Sequence, residues 1–267
     1  MTQGVIINAD DYAMDACVDA AILKLAADGT VTATSAMVLS PTWPKAAEPL
    51  KDAPLSRGLH LDFTSPFVGE VFPQTSITSL IIRTHIGLLN KELLRKEIDR
   101  QLSLYESRMG TLPDFVDGHQ HCHLLPFIRE ALIDAMATRY GGDAHRINLR
   151  DCAPKRWRGL KAAIIAYTGT FRLEKLANER GHAMNTDFAG VYDFNEDADF
   201  EALWADWLDG LEGPRPLVMC HVAERGDHDG RDLIRGARYL EYEWLASSRF
   251  RELSQRLSRR PERWPQA

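Results

Sequence analysis

The sequence predicts an α/β protein with a mainly parallel sheet and crossover helices, and three observations lead to this fold class. Apolar runs of strand length alternate with segments of helical periodicity along the whole chain. Four of the runs end in Asp-Asp or His, and parallel α/β folds gather catalytic groups at the carboxyl ends of their strands. The chain has 267 residues, 45% of them hydrophobic and 26% charged, so one soluble globular domain over residues 1–267 is expected.

The first strand is expected at residues 4–8, and it delivers Asp10 and Asp11 directly at its end. Adjacent carboxylates repel each other unless a cation or a proton lies between them, so the pair is typical of a metal site or an acid–base site. A turn or a helix cap is the structural alternative, but Asp15 can cap the helix expected at 15–28. The functional interpretation is therefore favoured.

The next elements lead to a second candidate site residue. A strand at 33–39 and a helix at 44–51 precede a strand at 57–61, which contains His60. Taken alone, His60 would more often be a core histidine than a ligand. Residues 62–89 are rich in Pro, Thr, Ser and Gly and predict a long loop insertion, and loops of this length in compact domains are usually functional.

Three histidines at alternate positions follow the strand predicted at 114–118, which comes after a helix at 90–108. On an extended backbone His119, His121 and His123 would share one face, because successive side chains point to opposite sides. Imidazole is a common metal ligand, whereas solvated loop histidines are the structural alternative. The segment predicts a place where nitrogen ligands are presented to a metal.

The remaining chain continues the alternation and brings a fourth apolar run to His221. The expected elements are a helix at 125–139, a strand at 146–149, a helical region at 157–180, a strand at 182–185, a helix at 197–210, a strand at 216–221 and helices at 233–246 and 248–257. The stretch from Arg249 to Arg263 is basic and predicts the solvated face of a C-terminal helix, with contact to anionic lipid or phosphate as the minor alternative.

Composition excludes several functional classes. The formal net charge of -6 argues against a nucleic-acid-binding surface, and no run approaches the ~18 apolar residues of a membrane span. The N-terminus lacks the pattern of a signal peptide. Four dispersed cysteines without a Cys-x-x-Cys pair predict reduced thiols and a cytoplasmic location, and a homo-oligomer is compatible with the sequence.

Four motifs together resemble a known family. Asn8–Asp11, Gly58–Leu61, Asp117–Pro126 and Met219–His221 occur in the order seen in YdjC-like carbohydrate deacetylases, which include chitooligosaccharide deacetylases and the hopanoid-biosynthesis-associated deacetylase. The resemblance runs from Val5 to about residue 253 and includes an Arg/Glu-rich pattern near the C-terminus: Arg235, Arg238, Glu241, Glu243 and Leu245. It implies a distorted (β/α) barrel related to polysaccharide deacetylases, and removal of an acetyl group from an N-acetylated sugar.

The resemblance also implies a site. Asp11, His60 and His119 would hold one divalent metal ion, Mg²⁺ or Zn²⁺, and Asp10 would be the catalytic base. Metal-activated water would attack the amide while the metal stabilises the oxyanion. A metal-dependent hydrolase of another bond, such as a phosphoester, is one rival, although those sites generally hold two or three metals. A non-catalytic sugar-binding homologue is the other.

His221 is the expected acid that protonates the departing amine, but the chain departs from the family here. The family's His-Pro-Gly becomes His221-Val-Ala, which leaves the acid role open to His121 or His123. Tyr12, His121 and His123 are the expected substrate contacts. Several aromatic side chains near the predicted loops could stack on a sugar ring, although most would serve packing: Tyr12, Trp43, Phe63, Phe67 and Phe72. Ala13 and Asp62 are further departures and indicate a divergent member.

Overall fold

The computed structural model describes residues 3–226 and 232–265. It contains one sheet, and the seven strands that form its main path are all parallel. They are β1 (Gln3–Tyr12), β2 (Ala33–Ala36), β3 (Ser56–Leu61), β4 (Phe115–Gly118), β5 (Asn148–Leu149), β6 (Phe188–Ala189) and β7 (Leu217–Cys220). Their order is β5-β4-β3-β2-β1-β7-β6, and the sheet curls into a half-barrel. The predicted α/β fold with a distorted barrel is confirmed.

Helices cover the sheet and connect its strands. They are α1 (Ala16–Ala27), α2 (Trp43–Lys51), α3 (Ile77–His85), α4 (Lys91–Met109), α5 (Ile128–Tyr140), α6 (Leu160–Tyr167), α7 (Thr170–Arg180), α8 (Phe200–Asp209), α9 (Arg235–Leu245) and α10 (Ser248–Arg256). Asp15 caps α1 as expected, because its carboxylate accepts hydrogen bonds from the backbone N–H groups of Cys17 and Val18. No helix of the described ranges is both long enough and apolar enough to cross a bilayer.

The central strand sets the position of the candidate site. β1 lies between β2 and β7 and is buried from Val5 to Tyr12, so the apolar run Val5–Ile7 packs in the core and the polar residues that follow it are buried as well. Asn8 is paired with Ala33 of β2 and with Met219 of β7. Asp10 and Asp11 therefore lie in the middle of the sheet, near the carboxyl ends of its strands.

Side chains complete the sheet where its outer strands are short. Leu149 of β5 forms a parallel bridge with Met184, and the Asn185 side chain pairs with the backbone of Asp151 at 2.7 and 3.0 Å. The strand expected at 182–185 is reduced to this single bridge at Met184, and the regular strand that follows is β6 at 188–189, which pairs with β7.

Two other expectations are wrong. The loop predicted at 62–89 contains α3, whose N-terminus is capped by Ser76 and whose buried residues include Leu80. The basic C-terminus is not only a solvated face, because β8 (Arg259–Pro261) pairs with β1, and the buried Arg259 guanidinium donates to the carbonyl groups of Leu208 and Leu211. Both ends of the described chain thus join one sheet, and the single domain over 1–267 stays a prediction.

Candidate metal and catalytic centre

The end of β1 has an unusual backbone that directs the two aspartates. Asp11 and Ala13 both have a φ of 70°, in the left-handed region that non-glycine residues seldom adopt. Such a conformation costs about 1–3 kcal/mol and persists only where the surroundings enforce it. Here the Asp11 carboxylate is held by three neighbouring side chains, which offset that cost.

Three potential ligand atoms meet around Asp11. Its Oδ1 lies 3.2 Å from Nε2 of His60 and 3.0 Å from Nδ1 of His119. All three atoms lie within 4.8 Å of one another, although they come from β1, β3 and the turn after β4. One carboxylate and two imidazoles are a common ligand set for a divalent metal that keeps positions for water.

The other nitrogen of His60 is fixed by a buried carboxylate. Nδ1 lies 2.6 Å from Oδ1 of Asp117, and the Ser35 hydroxyl lies 3.0 Å from the same nitrogen. Burial alone would lower the pKa of His60, but Asp117 and Asp11 raise it to about 10. The imidazole would therefore hold two protons unless another cation replaced one of them, and carboxylate support of this kind is typical of metal-binding histidines.

Arg238 occupies the second oxygen of Asp11. Its Nη2 donates to Oδ2 at 2.6 Å, while its Nε donates to Oδ2 of Asp232 at 2.7 Å. Burial would raise the pKa of Asp11, but Arg238 and the two histidines hold it well below its usual range. The carboxylate is thus ionised, and only Oδ1 faces the histidines.

The residues of this cluster fit one cation. In a second group of potential ligands, Asp10, His60 and Asp117, both carboxylates already pair with a guanidinium. Nη1 of Arg150 lies 2.7 Å from Oδ1 of Asp10 and 3.0 Å from Oδ2 of Asp117. Within residues 3–226 and 232–265, the cluster around Asp11 is therefore the one that a metal can enter without displacing an arginine.

Asp10 lies in a different environment from its neighbour. Nη1 of Arg150 donates to both of its oxygens, at 2.7 and 2.9 Å, and Nδ2 of Asn8 donates to Oδ1 at 2.6 Å. The sequence reasoning missed Arg150, although it follows β5 directly and the strand-end rule could have found it. Asp117 was likewise assigned no role, although it belongs to the histidine motif.

His221 directly follows β7. Its backbone N–H donates to Oε2 of Glu241 at 3.0 Å, and its ring packs edge-on against Phe194 with centroids 5.1 Å apart. Burial lowers the pKa of the imidazole to about 4, although the charges of Asp10 and Asp11 oppose this. Burial also raises the pKa of Glu241 to about 8. Arg238 and Glu241 entered the sequence reasoning only as part of a pattern, because nothing in α9 shows that it packs against the site.

The predicted arrangement of the three histidines is wrong. The strand ends at Gly118, and His119–Leu124 forms short 3-10 turns interrupted by a kink, where Gln120 and His121 have left-handed φ values of 51° and 59°. His123 is fully buried, and its Nε2 lies 3.0 Å from the carbonyl oxygen of Arg150, so it supports that arginine and does not reach a substrate. His121 alone of the expected substrate contacts is partly exposed.

The expected substrate contact of Tyr12 is also corrected. This side chain is fully buried, and its hydroxyl donates to the carbonyl oxygen of Ala46 at 2.8 Å. Most of the aromatic side chains considered for sugar stacking are buried in the same way: Tyr12, Trp43, Phe63 and Phe72. Phe67 is partly exposed.

Comparison with known proteins places this geometry in context. A family model described as YdjC-like protein matches residues 4–256. A carbohydrate deacetylase from Mus musculus is 27% identical over 151 residues, which cover 51% of this chain and 48% of that protein. A chitooligosaccharide deacetylase from Yersinia enterocolitica is 30% identical over 140 residues, which cover 48% of this chain and 53% of that protein. The chain thus spans about half the length of these curated relatives.

Solved structures share the fold. A candidate cellobiose-phosphate cleavage protein from Enterococcus faecalis V583 is 20% identical and superposes with a TM-score of 0.75, covering 99% of this chain and 98% of that one. A peptidoglycan N-acetylglucosamine deacetylase is 10% identical with a TM-score of 0.50, covering 95% of this chain and 82% of that one. At these identities the likeness concerns the fold alone.

Proposed function

The chain belongs to the family of YdjC-like proteins, and on that premise we propose that it is a metal-dependent carbohydrate deacetylase. It would hydrolyse the amide bond of an N-acetylated sugar and release acetate. The observation that carries the proposal is the convergence of Asp11, His60 and His119 on one point beside a second, ion-paired aspartate. The names of the relatives support the same activity.

Asp11, His60 and His119 would hold the cation, which Asp117 and Arg238 position through these ligands. When bound, a divalent cation supplies Lewis acidity, which makes water a better nucleophile and stabilises negative charge on the acetamide oxygen. Two imidazoles and one carboxylate suit Zn²⁺, whereas Mg²⁺ would need more oxygen ligands from water. Elemental analysis of the purified protein would identify the metal.

Asp10 would act as the base. Arg150 and Asn8 hold its carboxylate in one orientation, so that it can take the proton of the attacking water. Arg150 is fully buried and cannot lose its proton, so it stabilises the carboxylate without competing for the proton of water.

His221 would protonate the departing amine. Its low pKa means that the imidazole is neutral near pH 7, so in this role it takes up a proton within the catalytic cycle. Glu241 and Phe194 hold its backbone and ring in place of the family's Pro-Gly turn. His121 is the alternative acid, because it is partly exposed at the same mouth.

The rivals predict different outcomes. A phosphoesterase with two or three metals would need more ligand clusters than the one that the described residues offer without displacing Arg150. A non-catalytic sugar-binding protein would bind N-acetylated sugars without releasing acetate. We also propose a cytoplasmic location from the dispersed cysteines, which cell fractionation would check.

The decisive experiment measures free acetate. Metal-loaded protein is incubated with a panel of N-acetylated mono- and oligosaccharides, and Asp10→Asn protein prepared in parallel serves as the control. We expect acetate from at least one sugar with the native protein and little from the variant. Acetate release by neither protein, together with sugar binding by both, would favour the binding protein and reject the enzyme.

A further inference from the structure

The backbone turn that begins at Asp11 contains a residue that does not favour its conformation. The N–H of Met14 donates to the carbonyl oxygen of Asp11 at 3.0 Å, which closes a four-residue turn. The third residue of this turn, Ala13, has a φ of 70°. A positive φ at the third position is typical of a type II turn and is normally adopted by glycine or asparagine. Because Ala13 carries a Cβ, its conformation costs free energy that the surroundings must offset.

Two side chains from other elements hold the backbone of Ala13. Oδ1 of Asp19, in the first turn of α1, accepts a hydrogen bond from the N–H of Ala13 at 2.6 Å. The hydroxyl of Thr42, which directly precedes α2, donates to the carbonyl oxygen of Ala13 at 2.5 Å. Ala13 is fully buried, so either backbone group would be costly to leave without a partner. The two hydrogen bonds therefore stabilise the left-handed conformation of this residue.

The carboxylate of Asp19 is not needed to cap its own helix. Asp15 is the N-cap of α1 and accepts hydrogen bonds from the N–H groups of Cys17 and Val18. Burial raises the pKa of Asp19 to about 7, and the group that opposes this rise is the N–H of Ala13 and not a basic side chain. A negative charge in the first turn also stabilises a helix through its dipole, which is the structural alternative for Asp19. The hydrogen bond to Ala13 is a more specific role.

The turn connects this hydrogen bond to a proposed metal ligand. Asp11 itself has a φ of 70°, and its carbonyl oxygen is the acceptor that closes the turn. If Ala13 took up a negative φ, the N–H of Met14 would leave this carbonyl and the backbone of Asp11 could rotate. Such a rotation would move Oδ1 of Asp11 away from the nitrogens of His60 and His119, which lie 3.2 and 3.0 Å from it.

We propose that Asp19 and Thr42 are positioning residues for Asp11, because they hold Ala13 in the conformation that closes the turn. The inference rests on the proposed metal site and extends it to two residues that contact neither the metal nor the substrate. A site that is in its binding conformation for only part of the time binds its ligand more weakly by that fraction. The two hydrogen bonds should therefore raise the affinity for the metal by keeping the site assembled.

The first test measures metal affinity. Isothermal titration calorimetry of the metal-free full chain with Zn²⁺ is carried out at pH 8, above the pKa of Asp19. Asp19→Ala should weaken the affinity by about ten-fold, and Thr42→Val, which removes the hydroxyl, by about three-fold. Asp19→Asn keeps an acceptor oxygen but removes the charge, and its affinity should stay within about three-fold of native. Equal losses in Asp19→Asn and Asp19→Ala would overturn the proposal, because the charge alone would then matter.

Rescue by glycine tests the mechanism. Glycine adopts a positive φ without steric cost, so adding Ala13→Gly to Asp19→Ala should return the affinity to within about three-fold of native. Asp15→Ala is the matched control, because it removes the cap of α1 but does not contact Ala13; it should lower thermal stability and keep the native affinity. The proposal would be rejected if glycine restored no affinity, or if Asp15→Ala lost as much affinity as Asp19→Ala.

The second test follows the turn without any metal. Exchange of the Met14 amide hydrogen, measured by NMR on the metal-free protein, should be slow in the native chain and in the double variant, and about ten-fold faster in Asp19→Ala. Equal exchange in the native protein and Asp19→Ala would contradict the inference, whether or not the protein binds metal. If the native protein bound no Zn²⁺ but these exchange differences appeared, the proposed metal site would be rejected, while the hold of Asp19 on the turn would be supported.

Discussion

Asp10 and Asp11 are adjacent in the chain and almost fully buried, yet their carboxylates lie in pockets of different chemistry. The Asp10 pocket contains the guanidinium of Arg150 and the amide of Asn8. The Asp11 pocket contains two imidazoles at one oxygen and the guanidinium of Arg238 at the other. The Asp10 pocket is closed by the permanent positive charge of Arg150. In the Asp11 pocket, Oδ1 faces two imidazoles, which can each give up a proton and bind a metal instead.

The difference shows how one strand end can separate two functions. Arginine stays protonated, so the Asp10 pocket has its positive charge in place and leaves no site for a metal. Imidazole can release a proton and bind a metal, so the Asp11 pocket can take up an external cation. Successive side chains of a strand point to opposite faces, and the left-handed backbone at Asp11 follows directly after Asp10, so the two carboxylates enter different surroundings.

Removal of a proposed ligand should have the largest effect. In the His60→Ala and His119→Ala variants, we expect loss of most bound metal and of nearly all turnover, because a site with two remaining ligands binds a divalent cation weakly. Elemental analysis and acetate release are the measurements. His145→Ala, which changes an exposed histidine, is the control and should keep both properties. Unchanged metal content in both ligand variants would reject the Asp11 pocket as the metal site.

Substitution of each aspartate by asparagine tests directly whether Asp10 serves as the base and Asp11 as the metal ligand. Asp10→Asn should keep the metal but lower turnover by about 10²-fold or more, because asparagine preserves the shape and cannot act as a base. Asp11→Asn should instead lose metal. Comparable metal loss in the two variants would mean that both carboxylates are ligands, and near-native turnover of Asp10→Asn would exclude its role as the base.

The sequence could predict one half of this site better than the other. Asp10, Asp11, His60 and His119 all follow or end apolar runs of strand length, so the strand-end rule brings them to one edge of the sheet. Arg150 also follows a predicted strand, at 146–149, but an arginine side chain neither binds a metal nor exchanges a proton near neutral pH, so it does not stand out as a ligand or as an acid–base group. Arg238 and Glu241 lie on a helix more than two hundred residues after β1, and only tertiary packing places them beside it.

The same limit explains the errors in the fold. Alternation predicted an extended segment at His119, His121 and His123, but residues at close spacing can also form kinked 3-10 turns when a glycine permits the close approach of the chain. A Cβ at Gly118 would lie 2.9 Å from both the Cys122 sulfur and the His123 backbone nitrogen. Alternation in a short polar segment therefore predicts secondary structure less well than the periodicity of an apolar segment does.

Substitution of His221 is expected to lower turnover less than loss of a metal ligand does, and by an amount that depends on the leaving group of the substrate. If it is the acid, His221→Ala should lower turnover on an acetamide by about 10²-fold, but lower turnover on an activated acetyl ester much less, because a good leaving group needs little protonation. His121→Ala is the matched comparison at the same mouth. If His221→Ala lowers turnover equally on both substrates, His221 has a structural role. If only His121→Ala lowers turnover on the acetamide more than on the ester, His121 is the acid.

Substitution of Arg238 is expected to change turnover least. It tests whether the guanidinium at the second oxygen of Asp11 orients this carboxylate for metal binding. Arg238→Gln should weaken metal affinity by about 10–100-fold, because it releases the carboxylate from its fixed orientation, whereas turnover at saturating metal should stay within a few-fold of native. Isothermal titration calorimetry of the metal-free protein with the metal measures the affinity. Arg235→Gln is the control, because Arg235 is on the same helix and also ion-paired, but with Asp15 and not with a site carboxylate. An equal loss of affinity in both variants would show that α9 acts only through its packing, and unchanged affinity in Arg238→Gln would show that the guanidinium does not position Asp11.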